Sequence, residues 1–450
     1  MKNSRYNHYS QLGNGLTIFF NFYTLKLIVL KEGDTQKALS FFKNPHRQIR
    51  SDEEKKLKVQ LQENGFLINQ EIDELFLLKQ SYISAKTSVK NLELTIAPTL
   101  GCNFACPYCY QEGNEENMST EVQNNLYKFT LNQIQHEGTL HVTWFGGEPL
   151  IRWDQIKKMS SEFQNLCVEK KASYSASLIT NGYLLNKIYV NQLKELKIED
   201  IQVTIDGPPE VHNQRRTLRN GSPTFKKILQ NIKDIYPFVK LSLRMNVDSS
   251  NIKNIDAVLN ILEKEGLKDK IGFYLGQVLP YTEVCSNISD SCLADKKYAA
   301  IGFKTLVKMA AKDFKATFAY PKALSNFCMA DRRNAFVISP TGNISKCWNS
   351  IGNKDDSIGN LLAIDKTFNN RSWDIPDPFD DECKDCLLLP ICMGGCPFLK
   401  SKTGKRDCTN WKYYLDEYLL FYYYLKNKEL ELDILSHIRN ARLLFRKINS

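Results

Sequence analysis

Nothing in the 450 residues reads as a membrane-spanning helix, because no apolar run reaches the roughly 18 residues such a span needs. The longest candidate, Leu16 to Leu30, carries Asn21 and Lys26. It starts late and no small-residue cleavage site follows, so it does not read as a signal peptide either. Histidine is scarce: there are six, none in the spacing of a C2H2 zinc site. Low-complexity tracts are absent, and no repeat stands out beyond alternating strand and helix patterns. The charge is not of one sign. Lys plus Arg is 60 and Asp plus Glu is 50, for a net +10 with both signs interleaved, which does not make the basic stripe of a nucleic-acid binder. With 42% hydrophobic and 24% charged residues, a wholly disordered chain is excluded. The expectation is a cytoplasmic protein of two or three domains, with no nucleic-acid or membrane partner.

Cysteine is plentiful, with thirteen in the chain. Structural disulfides are not expected in a reducing compartment, and such numbers point to metal or redox chemistry. Ten fall into two sets. Cys102, Cys106 and Cys109 form a C-x3-C-x2-C run. Cys328, Cys347, Cys383, Cys386, Cys392, Cys396 and Cys408 form the second. Cys167, Cys285 and Cys292 stand apart, and Cys167 reads as a small buried hydrophobe. Closely spaced thiolates repel unless a cation neutralises them. Zinc and iron–sulfur both use such ligands. Three cysteines in eight residues leave one metal position without a protein ligand, which suits an iron–sulfur cluster better than a closed structural zinc site.

Residues 1–94 read as a unit of their own. A β-rich stretch, Leu16 to Leu30, has Gly13-Asn14-Gly15 before it and Gly33-Asp34 after it. Two helical patterns follow, one from Thr35 ending before Pro45, the other from Ser51 to Gly65 with Glu54 at the capping-box position. Strands followed by short helices suit a winged-helix-like module; a decoration of the main domain is the alternative. From Leu92 to Val278 six apolar β-type runs alternate with amphipathic helices, an α/β pattern implying a parallel sheet covered by helices. The runs are Leu92–Ala97, Leu140–Phe145, Tyr174–Ile179, Ile201–Ile205, Lys240–Val247 and Ile271–Val278, read as near-continuous apolar strands. In such sheets chemistry gathers beyond the C-terminal strand ends. There lie the first cysteine set, Gly146-Gly147-Glu148-Pro149, Thr180-Asn181-Gly182 and Asp206-Gly207. Residues 316–408 are loop-rich, so metal ligation must supply much of their stability. A helix from about Trp411 to Ile448 follows, its Leu419–Leu425 run expected to be a packing face and not a base-stacking surface.

Cys102-Asn-Phe-Ala-Cys106-Pro-Tyr-Cys109 followed by Gly146-Gly147-Glu148-Pro149 resembles the radical S-adenosylmethionine (SAM) enzymes. The second set, with its C-x2-C-x5-C-x3-C core, is similar to the SPASM extension of peptide- and protein-modifying members. The resemblance implies a partial (β/α)6 barrel spanning 95–315, an N-terminal winged-helix-like module over 1–94 and a SPASM domain with its helix over 316–450. It implies a [4Fe–4S] cluster on Cys102, Cys106 and Cys109 whose open iron binds SAM. Cleavage then yields a 5′-deoxyadenosyl radical that abstracts hydrogen from substrate. Tyr108 matches the aromatic that packs on adenine, and Gly146, Gly147 and Glu148 match the motif contacting the methionine ammonium. Thr204 and Arg216 match SAM contacts of sulfatase-maturating relatives. Thr180 and Asn181 are further cofactor candidates.

By the same resemblance, Cys383, Cys386, Cys392 and Cys408 hold a distal auxiliary cluster, and Cys328, Cys347 and Cys396 a nearer one, making three [4Fe–4S] clusters. The nearer has three thiolates, so either Cys285 or Cys292 completes it or one iron is open. Sulfatase maturases carry an acidic residue after the cysteine in the position of Cys347, where this chain has Trp348. The resemblance therefore favours a maturase of ribosomally made precursor peptides forming a thioether or carbon–carbon cross-link, with anaerobic sulfatase maturation as the alternative. The implied partners are a precursor peptide whose leader binds residues 1–94, and an external one-electron donor such as flavodoxin or ferredoxin.

Overall fold

The computed structural model describes residues 1–13, 15–109, 111, 115–279, 290–315, 321–363, 377–379 and 382–427. Strands are numbered in chain order. In the N-terminal part, β1 (Lys2–Asn3) pairs with β5 (Leu67–Ile68), and β2 (Asn7–Gly13), β3 (Leu16–Asn21) and β4 (Lys26–Lys31) form an antiparallel sheet in that order. The central sheet holds β6 (Asn91–Ile96), β7 (Thr139–Trp144), β8 (Ser173–Thr180), β9 (Ile198–Thr204), β10 (Lys240–Val247) and β11 (Gly272–Gln277), all parallel and in sequence order. Three short strands, β12 (Ala335–Ile338), β13 (Asn343–Ser345) and β14 (Gly359–Asn360), extend it beyond β6. The fold is α/β around a central, mostly parallel sheet, and among the described residues the sheet does not close into a barrel.

The six strands are not the near-continuous apolar runs expected. They alternate. Leu92, Leu94 and Ile96, then Leu140, Val142 and Trp144, then Leu241, Leu243 and Met245 are buried in one core. Helices such as Trp153–Glu169, Phe225–Ile235 and Ile255–Lys264 cover that face, with Ile156, Ile228 and Val258 in the same core. The residues between, including Thr95, Thr143, Ser177, Gln202, Arg244 and Tyr274, face the other way. This sheet therefore has a helix-covered apolar face and a polar face, and only the first is a conventional core.

The N-terminal sheet packs on both sides. Phe19, Ile28 and Leu30 meet Phe41, Leu57 and Leu61 of helices Glu32–Lys43 and Asp52–Glu63. Ser51 caps the second helix, accepting from the Glu54 amide at 3.2 Å, and the Glu54 carboxylate accepts from the Arg50 amide at 2.8 Å. On the other side, Tyr6, Phe20 and Phe22 share a core with Leu78 and Tyr82 of a third helix, Glu74–Thr87, and with Phe303, Leu389, Trp411 and Leu419. That third helix, capped by Asp73, was not anticipated. The N-terminal residues and the cysteine-rich region thus share one core. Arg5–Asp385 at 3.0 Å and His8–Asp416 at 2.8 Å add polar ties.

Strand β6 runs across the boundary expected at 94/95. Strand β12 ties the cysteine-rich segment into the central sheet by pairing parallel to β6. Four residues are too short a run to show periodicity, which is why the segment read as loop. The late helix is seen over Leu415–Lys426, where Tyr418, Leu419, Phe421 and Tyr422 are buried, consistent with a packing face. Its expected continuation to Ile448 lies outside the described residues. Cys167 is buried, as a small hydrophobe would be. Among the described residues no helix is long and apolar enough to cross a membrane.

Candidate active site

The loops after β6, β7 and β8 interlock. After β7, the chain turns through Gly146 and Gly147 directly against the loop after β6. The Gly147 amide donates to the Thr99 carbonyl at 3.1 Å and the Glu148 amide to the Gly101 carbonyl at 2.9 Å. A Cβ on Gly146 would lie 2.3 Å from the Thr99 carbonyl oxygen, and one on Gly147 would lie 2.2 Å from that of Gly101. Gly146 also has φ +116°, in the left-handed region. The glycines thus allow two backbones to touch just ahead of Cys102.

Glu148 is fully buried. Its carboxylate accepts from the Leu150 amide at 3.0 Å, the Thr180 hydroxyl at 2.8 Å and the Asn181 amide at 2.8 Å. Burial raises its pKa above the ordinary carboxylate range, and the Asn181 and Thr180 bonds oppose this. Asn181 in turn reaches the first cysteine set: its Nδ2 donates to Asn103 Oδ1 at 2.7 Å and lies 3.8 Å from Cys102 Sγ. The Phe104 amide points at the same sulfur from 3.4 Å.

Across the site, Tyr108 hydrogen-bonds Asp206, and Arg216 donates to the Tyr108 hydroxyl at 2.6 Å. Asp206, fully buried after β9, also accepts from the Asn246 amide at 2.9 Å, and Arg215 pairs with Asp248 at 2.8 Å. His212 is buried, taking the Asp206 amide on Nδ1 at 3.2 Å and facing Thr224 Oγ1 from Nε2 at 3.1 Å. Thr204 is buried at the end of β9, in register with Arg244. The structure therefore gathers Cys102, Cys106, Tyr108, Gly146, Gly147, Glu148, Thr180, Asn181 and Arg216 at one end of the sheet. Sequence reasoning put Asp206 at a strand end beside the site without giving it a role, and missed Asn246 and Asn103 as members of this network. Strict alternation in Lys240–Val247 was the available signal for Asn246.

The residues suit a cluster with SAM. The Cys102 thiol is pushed up to about 12 by burial, with Cys106 and Cys109 raising it further, so bonding to a cation is what would make these sulfurs thiolates. Arg216 Nε is buried without a hydrogen-bond partner, beside the loop, as a donor waiting for an anionic or polar group would be.

In the second set, Cys383, Cys386, Cys392 and Cys408 line one cavity of about 310 Å³, together with Arg406, Asp407 and Lys412. Lys412 Nζ lies 3.2 Å from Cys408 Sγ. Cys328 and Cys347 thiols are each pushed up to about 12, chiefly by burial, and Cys396 raises both. Trp348 donates to Met329 Sδ at 2.9 Å and packs on Phe145, which follows β7. Among the described residues no three cysteine, histidine or carboxylate side chains converge to hold a single metal ion. A four-iron cluster places each thiolate on a different iron and does not require that convergence. Cys292 lies beside Ser291, whose carbonyl accepts from the Ser249 amide after β10 at 2.9 Å. Cys285 lies outside the described residues.

A family model for the radical SAM superfamily matches residues 96–272. A cysteine-type anaerobic sulfatase-maturating enzyme of Clostridium perfringens is 23% identical over 370 residues, 74% of this chain and 96% of that one. A solved structure of native anSMEcpe with bound AdoMet and Cp18Cys peptide has TM-score 0.57 at 22% identity, covering 78% of this chain and 99% of its own. Streptococcus suis SuiB bound to S-adenosylmethionine has TM-score 0.50 at 16% identity, covering 89% and 97%. Residues 96–272 therefore carry a radical SAM domain, and over most of its length the chain is similar to sulfatase-maturating enzymes. Such a domain implies a [4Fe–4S] cluster and SAM as cofactors.

Proposed function

We propose that the enzyme is a peptide maturase acting on a ribosomally made precursor peptide, forming a thioether or carbon–carbon cross-link. In this reading Cys102, Cys106 and Cys109 hold the SAM cluster, and Tyr108, Gly146, Gly147, Glu148, Thr204 and Arg216 border SAM, with Thr180 and Asn181 as further candidates. When bound, the reduced cluster and SAM supply a 5′-deoxyadenosyl radical that takes a hydrogen atom from the peptide. Cys383, Cys386, Cys392 and Cys408 hold a distal auxiliary cluster and Cys328, Cys347 and Cys396 a nearer one, for three [4Fe–4S] clusters and about twelve irons. Electrons enter from a carrier such as flavodoxin or ferredoxin. The domain division is 1–94, 95–315 and 316–450, with β6 bridging the first boundary.

The observation that carries the peptide-maturase reading is Trp348. It stands where an acidic residue is expected in a sulfatase maturase, and its indole is packed on Phe145 and bonded to Met329. No proton acceptor stands at that position. Two further points support a peptide substrate. The relative with bound Cp18Cys peptide shares the fold. The N-terminal sheet, whose outer strands β2 and β4 have no further strand partner among the described residues, offers edges for leader pairing. The polar face of the central sheet can hydrogen-bond a peptide.

The test is anaerobic incubation of the reconstituted full chain with dithionite, SAM and either Cp18Cys peptide or the short peptides encoded beside its gene. The expected result is 5′-deoxyadenosine together with an encoded peptide lighter by two hydrogen atoms. Conversion of Cp18Cys to formylglycine, with no change in the encoded peptides, would establish the sulfatase reading instead.

A further inference from the structure

Three features converge on the side chain of Asn181. Its backbone amide is fixed by the buried Glu148 carboxylate at 2.8 Å. Its Oδ1 accepts from the Tyr183 amide at 2.9 Å, which settles which way the side-chain amide faces. Its Nδ2 is consequently aimed at Asn103 Oδ1 and the Cys102 sulfur, at 2.7 and 3.8 Å. Glu148 spends both oxygens on three donors from two loops, so its carboxylate serves as a brace. The Gly-Gly-Glu-Pro motif thus reaches Cys102 by two routes, through the backbone contacts at Thr99 and Gly101 and through Asn181.

We propose that Asn181, braced by Glu148, is a positioning residue that donates a hydrogen bond to the Cys102 thiolate and sets the reduction potential of the SAM cluster. The inference rests on the reading of Cys102 as a cluster ligand. It assigns Asn181 to the cluster sulfur, a role different from contact with SAM. An N–H dipole aimed at a ligating sulfur stabilises negative charge there. The reduced cluster carries one more negative charge than the oxidised one, so the bond favours reduction and raises the potential.

The test is an EPR-monitored redox titration of the anaerobically reconstituted full chain, following the cluster whose signal changes on adding SAM. With Asn181→Ala or Asn181→Asp, full iron is expected, and the reduced-to-oxidised ratio at fixed poise should fall about tenfold, which is ~59 mV for one electron. Glu148→Gln, which puts an amide donor opposite the Asn181 amide, should shift it in the same direction by less. A change below about twofold in both Asn181 variants overturns the proposal. If those variants lose the cluster, the unsubstituted chain decides. Asparagine labelled with 15N in the side-chain amide should give a nitrogen hyperfine coupling on the reduced SAM-responsive cluster, and its absence overturns the proposal. Asn103 turns its Oδ1 toward Asn181, so its own amide nitrogen points away. Retention of the SAM-responsive cluster in Cys102→Ala would instead overturn the ligand reading, a result distinct from an unshifted potential.

Discussion

The two cysteine sets are supported in opposite ways. Cys102 follows a loop whose carbonyls take bonds from Gly147 and Glu148, on a sheet backed by a large apolar core. Cys383, Cys386, Cys392 and Cys408 instead ring a cavity in a region whose regular structure is two short helices, Leu389–Cys392 and Pro397–Thr403. Between Cys392 and Cys396, three successive residues, Met393, Gly394 and Gly395, have positive φ, and a Cβ on Gly395 would lie 1.8 Å from the Asp407 carbonyl oxygen. The contrast teaches that the first site is shaped by the fold, while the second, in the reading proposed above, would lean on the cluster its cysteines hold.

The largest effect should come from the first set. Changing Cys102, Cys106 and Cys109 together to Ala should abolish 5′-deoxyadenosine formation and remove about a third of the iron. The sheet should remain folded, since its core does not involve these sulfurs beyond edge packing. Retained SAM cleavage in that variant would break the assignment. The matching change in the second set, Cys383→Ala with Cys392→Ala, should also cost about a third of the iron. Here the structural result should differ: residues 382–412 become sensitive to protease. The loosening should spread to the N-terminal sheet, because Leu389 and Trp411 share a core with Phe20 and Phe22. Peptide-independent SAM cleavage should persist. An unchanged digestion pattern would show that the second region is as fold-supported as the first.

A smaller but sharp effect is expected at Gly147. Ala there would place a methyl 2.2 Å from a backbone carbonyl oxygen, which cannot rotate away. The cost should be about 3 kcal/mol, with loss of SAM-cluster iron and retention of auxiliary iron. Gly221 is the control. It has φ +81° but open space around it, so Gly221→Ala should cost only about 1 kcal/mol. Denaturant midpoints and iron analysis of both variants check the comparison.

Much of this was legible in the sequence where periodicity or spacing was long enough to carry a signal. All six parallel strands were located to within three residues at either end. The members of the site came from motifs at strand ends. The polar face of the sheet is harder to read, because Leu-Glu-Leu-Thr-Ile and Lys-Leu-Ser-Leu-Arg-Met-Asn-Val pass for apolar runs by composition although their alternation is strict. A sheet helix-covered on one face only and facing its own site on the other follows the alternating rule, even though its strands are parallel. The shared core between the N-terminal sheet and the cysteine-rich region was invisible for another reason. It joins Phe20 to Trp411 and Tyr422, and no local pattern reports a contact across such a span. The bracing role of Glu148 likewise needed coordinates, since the residue type alone suits a ligand for a cation equally well.

The smallest expected effect concerns His212, which belongs to the fold-supported side of the comparison. Its imidazole is buried behind the site, and burial, with Arg216 and Arg215 adding to it, holds its pKa well below the ordinary value. The hydrogen bonds fix the neutral tautomer: the Asp206 amide donates to Nδ1, so Nε2 carries the proton and donates to Thr224, which donates to the Arg216 carbonyl at 2.5 Å. Below about pH 6.5 the unfolded chain takes up a proton here that the folded chain refuses. The unfolded state then binds more protons, so this group's contribution to stability is complete above that pH and is lost as pH falls, by up to about 1.4 kcal/mol per unit. Glutamine can accept from the Asp206 amide and donate to Thr224 without titrating. His212→Gln should therefore match the parent near pH 7.5 and lose less stability by pH 5.5. Hydrogen exchange of the β9 and β10 amides at the two pH values reads this directly. Parallel acid losses in the two proteins would mean that His212 can take up its proton without leaving the fold.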